Sequence, residues 1–131
     1  MTTEIAAITG GAGALGSALA RTLVGRGHKV ALLDTERASG RLAELVRELG
    51  EERAIARAGD FADGEAWTSA LDAVRSKLGG LPTAGALIAG GWEGGAPLHE
   101  SKDGTYERMM RLNVATAHAA LRALLPGMVA A

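Results

Sequence analysis

The chain has 131 residues, 47% hydrophobic and 22% charged, which are the proportions of one compact domain and exclude a disordered or collagen-like polymer. Fourteen basic residues stand against fifteen acidic ones, a formal net charge of −1, so there is no electrostatic footprint for nucleic acid or an anionic membrane. Cysteine is absent, which rules out thiol chemistry; no apolar run is long enough to span a bilayer and Met1-Thr2-Thr3-Glu4 is not a secretion signal, and cytoplasmic location is taken as the default expectation, not a deduction.

Ile5-Ala6-Ala7-Ile8-Thr9 is a short apolar run that stops at glycines, as expected of a strand buried on both faces. Leu15, Leu19 and Leu23 then recur at helical spacing until Gly25-Arg26-Gly27. Val30 to Leu33 predicts a second strand closed by Asp34, and Leu42, Leu45, Val46 and Leu49 a second helix ended by Gly50. Ala54-Ile55-Ala56 reads as a weaker third strand. Trp67, Leu71, Val74 and Leu78 form the stripe of a third helix that ends at Gly79-Gly80, and Ala84 to Ala89 gives a fourth strand. The glycine density from Gly90 to Gly95 makes that segment a loop. A last helical region begins near Asp103 as N-cap and runs, with one break, to Leu125, where Pro126 ends it.

Four βα units without linker or repeat predict one α/β domain over residues 1–131, a parallel sheet covered by helices on both faces.

The segment Thr9-Gly10-Gly11-Ala12-Gly13-Ala14-Leu15-Gly16 lies between the first strand and the first helix. It satisfies both G-x-G-x-x-G (Gly11, Gly13, Gly16) and T-G-x-x-G-x-x-G (Thr9, Gly10, Gly13, Gly16). Glycines there let the backbone approach a pyrophosphate, and the free N–H groups at the helix start stabilise the anion. The other reading of such a turn is a tight strand-to-helix connection and nothing more. Asp34 follows at the end of the second strand, eighteen positions after Gly16, where a carboxylate accepts both ribose hydroxyls of an adenosine and repels a 2′-phosphate. That favours NAD. Arg37, three residues on, keeps NADP open, and Asp34 can also be read as a loop carboxylate or a helix cap.

With these residues in place the chain resembles the short-chain dehydrogenase/reductase family along its whole length, as the family's N-terminal half, which implies a Rossmann-like, doubly wound parallel sheet in strand order 3-2-1-4, truncated before the fifth strand. Thr9 to Gly16, with Leu15 inside it, is similar to the glycine motif in the spacing of the family's extended members. Gly59-Asp60-Phe61 resembles the segment whose Asp hydrogen-bonds the adenine amino group. Leu87-Ile88-Ala89-Gly90 stands where the family has Asn-Asn-Ala-Gly, with both asparagines missing; Ala89 and Gly90 still allow close approach to the nicotinamide ribose. Tyr106 to Val114 resembles the helix that carries an active-site asparagine, here Asn113, whose alternative reading is an asparagine at a helix irregularity. Tyr106 is expected to pack. Trp92 is expected either to cap the pocket or to cover nearby apolar surface. Within the family the glycine segments are most similar to dihydropteridine reductase, which uses NADH.

The resemblance implies hydride transfer between NAD(P) and a small-molecule carbonyl or imine substrate; a homo-oligomer is expected, and no metal site, because His28, His99 and His118 are widely separated and lack paired carboxylates at ligand spacing. The family's catalytic serine and Tyr-x-x-x-Lys are absent from these residues, since Lys29, Lys77 and Lys102 all precede the single tyrosine, Tyr106. The chain alone is therefore expected to be inactive, and a non-catalytic NAD-binding or assembly module is the alternative. An S-adenosylmethionine-dependent methyltransferase is a more distant one, because Thr9 stands where such enzymes place an acid. A phosphate-binding P-loop is excluded by Ser17, which occupies the position of the lysine.

Overall fold

A computed structural model describes residues 2–131. Met1, part of the N-terminal segment read above, lies outside the described residues. The strands are β1 (Ile5–Thr9), β2 (Lys29–Asp34), β3 (Ala54–Ala58) and β4 (Ala84–Leu87). The helices are α1 (Ala14–Gly25), α2 (Ser39–Leu49), α3 (Gly64–Leu78), α4 (Thr105–Met110) and α5 (Thr116–Ala130), with a π-helical segment, Arg111–Ala115, joining the last two. The sheet is wholly parallel in the order β3-β2-β1-β4.

All five residues of β1 are buried because it is flanked on both sides, Ile8 standing opposite Leu32 of β2 and Ala86 of β4. Side-chain alternation divides the core between the two faces. Ile8, Val30 and Leu32 meet Ala20, Leu42 and Leu45 of α1 and α2. On the other face, Ala7 and Leu33 meet Trp67, Ala70, Ala120 and Leu124, and Ala31 meets Val74 and Leu78. The apolar run of each inner strand is thus needed in full, as a doubly wound sheet demands. β4 is the edge strand and is largely exposed.

Several boundaries differ from the sequence reading. β3 runs on through Arg57 and Ala58, which pair with Leu33 and Asp34, and at this end of the other edge strand Arg57 is exposed. β4 stops at Leu87, before the segment that turns toward the glycine loop. Asp103 is not the cap of α4. Gly104 holds that position with φ 81°, a left-handed conformation that glycine alone adopts freely.

Pro126 does not end the last helix but lies inside α5. Packing on β4 overrides the missing N–H: the space above Gly85 is filled by Leu124 and Met128, one helical turn apart on either side of the proline. No helix among the described residues is long and apolar enough to cross a membrane.

Candidate functional site

The crossovers leave the sheet in opposite directions from β1 and β4, so a cleft opens beyond the C-terminal ends of these strands. It has a volume of about 560 Å³. Its floor is the glycine turn, one wall is the end of β2 with the first residues after it, and the other is the β3–α3 loop with the π-helical segment.

The turn is shaped by contacts that exclude side chains. A Cβ on Gly16 would lie 2.2 Å from the Gly10 carbonyl oxygen, and one on Gly10, whose φ is +66°, would press on the backbone of Ala89 at 3.1 Å. Gly11 N–H donates to the Leu33 carbonyl at 3.1 Å, Gly13 N–H to the Gly10 carbonyl at 3.1 Å, and Ala12 N–H to Asp34 Oδ2 at 3.0 Å. Ser17 N–H closes the first turn of α1 on the Gly13 carbonyl at 2.9 Å. The amides of Ala14, Leu15 and Gly16 then have no intrahelical acceptor, and all three residues line the cleft. These amides and the N-terminal end of the helix dipole make this an anion-binding floor. Leu15 lies beside it, 67% exposed.

Thr9 is buried, and its hydroxyl is a staple between strands: it accepts the Ala89 N–H at 3.1 Å and donates to the Ala86 carbonyl at 3.5 Å. The end of β1 and the segment after β4 are thereby fixed side by side. On the β2 wall, Asp34 Oδ1 accepts the Thr35 N–H at 2.7 Å. Each carboxylate oxygen of Asp34 thus holds one backbone donor, with further acceptor capacity directed to the cleft. Glu36 and Arg41 line this end; Arg37 does not. The short 3-10 turn Glu36–Ala38 followed by the start of α2 carries Arg41, not Arg37, to the wall, so the basic residue singled out from the sequence is replaced by one four positions later.

The β3–α3 loop is anchored from below. Trp67 Nε1 donates to the Phe61 carbonyl at 3.0 Å, and the two rings meet edge to face at 5.3 Å. Asp63 caps α3 by accepting the Glu65 N–H. Above these anchors, Asp60 Oδ1 accepts the Ala62 N–H at 3.1 Å, and Oδ2 pairs with the Arg111 guanidinium. Arg111 holds the Asp60 carboxyl below the usual carboxylate range, against the opposing effect of partial burial.

Asn113 sits in the π-helical segment, the break expected in the last helix. Its side chain is committed: Nδ2 donates to the carbonyls of Gly91 and Met109, both at 2.9 Å, and Oδ1 accepts the Gly91 N–H at 3.1 Å. A Cβ on Gly90 would meet Asn113 Oδ1 at 2.7 Å, so Gly90 is needed for this latch. Ala89 and Gly90 line the cleft; Asn113 does not. Further along the loop, Glu93 receives two hydrogen bonds from Arg108, at 2.7 and 2.6 Å, and one from the Thr105 hydroxyl at 3.1 Å. These partners lower the Glu93 carboxyl to about 2.

Two aromatic side chains lie away from both the core and the cleft. Tyr106, expected to pack, is 71% exposed and stands outside the buried core. Trp92 is 82% exposed, lies over Gly94 and does not line the cleft, against the pocket-capping one of its two expected roles. The cleft brings together the turn, Asp34 and Asp60 singled out from the sequence, and adds Arg41 and Arg111, which carry no local pattern; the neighbouring Asn113 at a helix irregularity was the one pointer toward Arg111.

Comparison with known proteins gives the same architecture. The sequence matches the short chain dehydrogenase family model over residues 4–131. It is 33% identical over 132 residues to the 2,5-dichloro-2,5-cyclohexadiene-1,4-diol dehydrogenase LinX of Sphingobium indicum, covering 96% of this chain and 50% of LinX. Among solved structures it is similar to L-sorbose reductase from Gluconobacter frateurii complexed with NADPH and L-sorbose, at 28% identity and a TM-score of 0.83, over 99% of this chain and 49% of that one. It is also similar to NAD+-bound xylitol dehydrogenase, at 26% identity and a TM-score of 0.83, over 97% of this chain and 48% of that one. The chain spans about half the length of the curated relatives it matches.

Proposed function

The chain belongs to the short chain dehydrogenase family, and from that premise we propose that it forms the dinucleotide-binding part of an NAD(P)-dependent oxidoreductase. The observation that carries the proposal is the glycine turn. Gly16 and Gly10 leave no room for a Cβ, and three first-turn amides face a cleft whose opposite wall presents a carboxylate at the end of β2. Backbone packed this closely keeps the first-turn amides uncovered at the cleft, and a pyrophosphate needs main-chain donors at close range.

In this reading the amides of Ala14, Leu15 and Gly16 hold the diphosphate, with Gly10 and Gly13 allowing its approach. Asp34 accepts the hydroxyls of the adenosine ribose. Asp60 receives the adenine amino group, and Phe61 and Leu15 bound the base and diphosphate regions. Thr9, Ala89 and Gly90 shape the floor at the nicotinamide end. Asn113 acts there by fixing the Gly90-Gly91 backbone. When bound, a nicotinamide supplies the hydride donor or acceptor, and every role given to these residues is one of binding and orientation.

Asp34 and Glu36 on one wall favour NAD over NADP, since a 2′-phosphate would meet two carboxylates. Arg41 on the same wall is the residue that supports NADP as the second reading. A small carbonyl or imine substrate follows from the family resemblance. These 131 residues hold no Tyr-x-x-x-Lys pair, so the activity proposed for the chain by itself is cofactor binding, without turnover.

The test is a fluorescence titration of the 131-residue chain with NADH and with NADPH, followed by an assay for NADH oxidation with a carbonyl substrate. Saturable binding, tighter for NADH and without turnover, is expected. Absence of binding to either nucleotide would overturn the proposal, and turnover would overturn the restriction to binding.

A further inference from the structure

The ion pair between Arg111 and Asp60 joins two elements far apart in sequence. Asp60 lies on the β3–α3 loop, which Trp67 and Phe61 fix from below, and Arg111 lies on the π-helical segment. Both side chains line the cleft, and both keep more than half of their surface open, at 57% for Asp60 and 59% for Arg111. The two Asp60 oxygens are thus oriented by separate donors, the Ala62 N–H on Oδ1 and the guanidinium on Oδ2. A carboxylate held in this way remains ionised and fixed in direction, and it can only accept hydrogen bonds from a ligand.

Resting on the dinucleotide reading above, we propose that Arg111 is a positioning residue for base selection: by gripping Asp60 it presents a fixed acceptor that selects a purine bearing an exocyclic amino group over one bearing a carbonyl at the same place. Adenine donates there, whereas hypoxanthine turns a carbonyl oxygen toward the carboxylate. Arg111 acts through Asp60 and does not contact the diphosphate. Its π-helical placement has a structural reason. The same segment latches Asn113 onto Gly91, so one irregular turn fixes the two ends of the cleft, and π-helical turns of this kind recur at functional sites.

The experiment compares the affinity of the wild-type chain for NADH with that for reduced nicotinamide hypoxanthine dinucleotide, and repeats the pair for Arg111→Met, Arg111→Lys and Asp60→Asn. Wild type is expected to prefer the adenine dinucleotide by about tenfold, the scale of one charge-assisted hydrogen bond. Arg111→Met should lower that ratio several-fold by weakening NADH alone, Arg111→Lys should restore part of it, and Asp60→Asn should bring it close to one. An exposed ion pair contributes little to folding, so thermal melts of the four proteins should coincide. A ratio unmoved by Arg111→Met, or equal weakening of both dinucleotides, would overturn the inference while leaving the cofactor reading intact. Failure of wild type to bind either dinucleotide would overturn both.

Discussion

Asp34 Oδ2 accepts the main-chain N–H of Ala12 at 3.0 Å, tying the acidic end of β2 to the glycine turn that follows β1. One carboxylate therefore shapes the floor of the cleft and faces the position proposed for a ribose. Its replacement should have two separable consequences.

Asp34→Ala is expected to destabilise the fold by about 1–2 kcal/mol, because the N–H groups of Ala12 and Thr35 lose a charged acceptor. It should also shift the ratio of NADH to NADPH affinity toward NADPH, as one of the two carboxylates that repel a 2′-phosphate is removed. Urea denaturation checks the first effect and paired nucleotide titrations the second. An unchanged ratio would remove Asp34 from the ribose site.

Gly16→Ala places a methyl group 2.2 Å from the Gly10 carbonyl oxygen, a backbone atom that cannot swing away. A loss of about 1–3 kcal/mol is expected, the range of overpacking in a closed site, measurable as a lower urea midpoint. Gly64→Ala is the control: an added Cβ there meets nothing within 4 Å, and its midpoint should stay near wild type.

The clamp between Glu93 and Arg108 should weaken in acid. The Glu93 carboxyl falls from 4.5 to about 2 in the folded chain, so its folded pKa is depressed. Its contribution to stability is present above about pH 4.5, the unfolded value, and is lost as the pH falls toward 2. Wild type and Glu93→Gln should accordingly differ in urea midpoint at neutral pH and converge between pH 4.5 and 2. A constant difference across that window would show that the ion pair is not its source. Both side chains are solvated, so added salt should narrow the difference as well.

Pro126 leaves the Arg122 carbonyl without the N–H that any other residue would supply within α5. Pro126→Ala is expected to raise stability by about 1–2 kcal/mol, the gain in helix propensity offset in part by a more flexible unfolded chain. A lower melting temperature would mean that the pyrrolidine ring itself packs favourably against its surroundings.

What the sequence made legible follows from the range of the interactions involved. β1, the glycine turn and the start of α1 are contiguous, and each is set by local rules: an apolar run for a strand covered on both sides, then backbone freedom where a Cβ would clash. The parallel sheet and the burial of Ile8, Val30 and Leu32 followed from the alternation of apolar runs and helical stripes, while the strand order came with the family resemblance. Pro126 was misplaced because a local rule for proline was weaker than the packing of Leu124 and Met128 over Gly85. The Asp60–Arg111 pair, 51 positions apart, was not legible at all, since no periodicity connects a loop after β3 with a turn of π-helix. Arg41 displaced Arg37 at the wall because a 3-10 turn intervenes before α2, and neither composition nor spacing signals one there. The exposure of Tyr106, and the choice between the two roles of Trp92, were not legible because an aromatic side chain in the sequence does not say whether its own element turns it inward.

The most direct test of the anion floor is amide-resolved NMR of the isotopically labelled chain titrated with ADP-ribose, which carries the diphosphate and both riboses without the nicotinamide. The largest shifts are expected at the backbone amides of Gly13, Ala14, Leu15 and Gly16, with smaller ones at Asp34 and Asp60 and none at the outer side of α2. Shifts confined to other surfaces, or an unperturbed glycine turn at saturation, would contradict the proposal that these main-chain donors hold a dinucleotide.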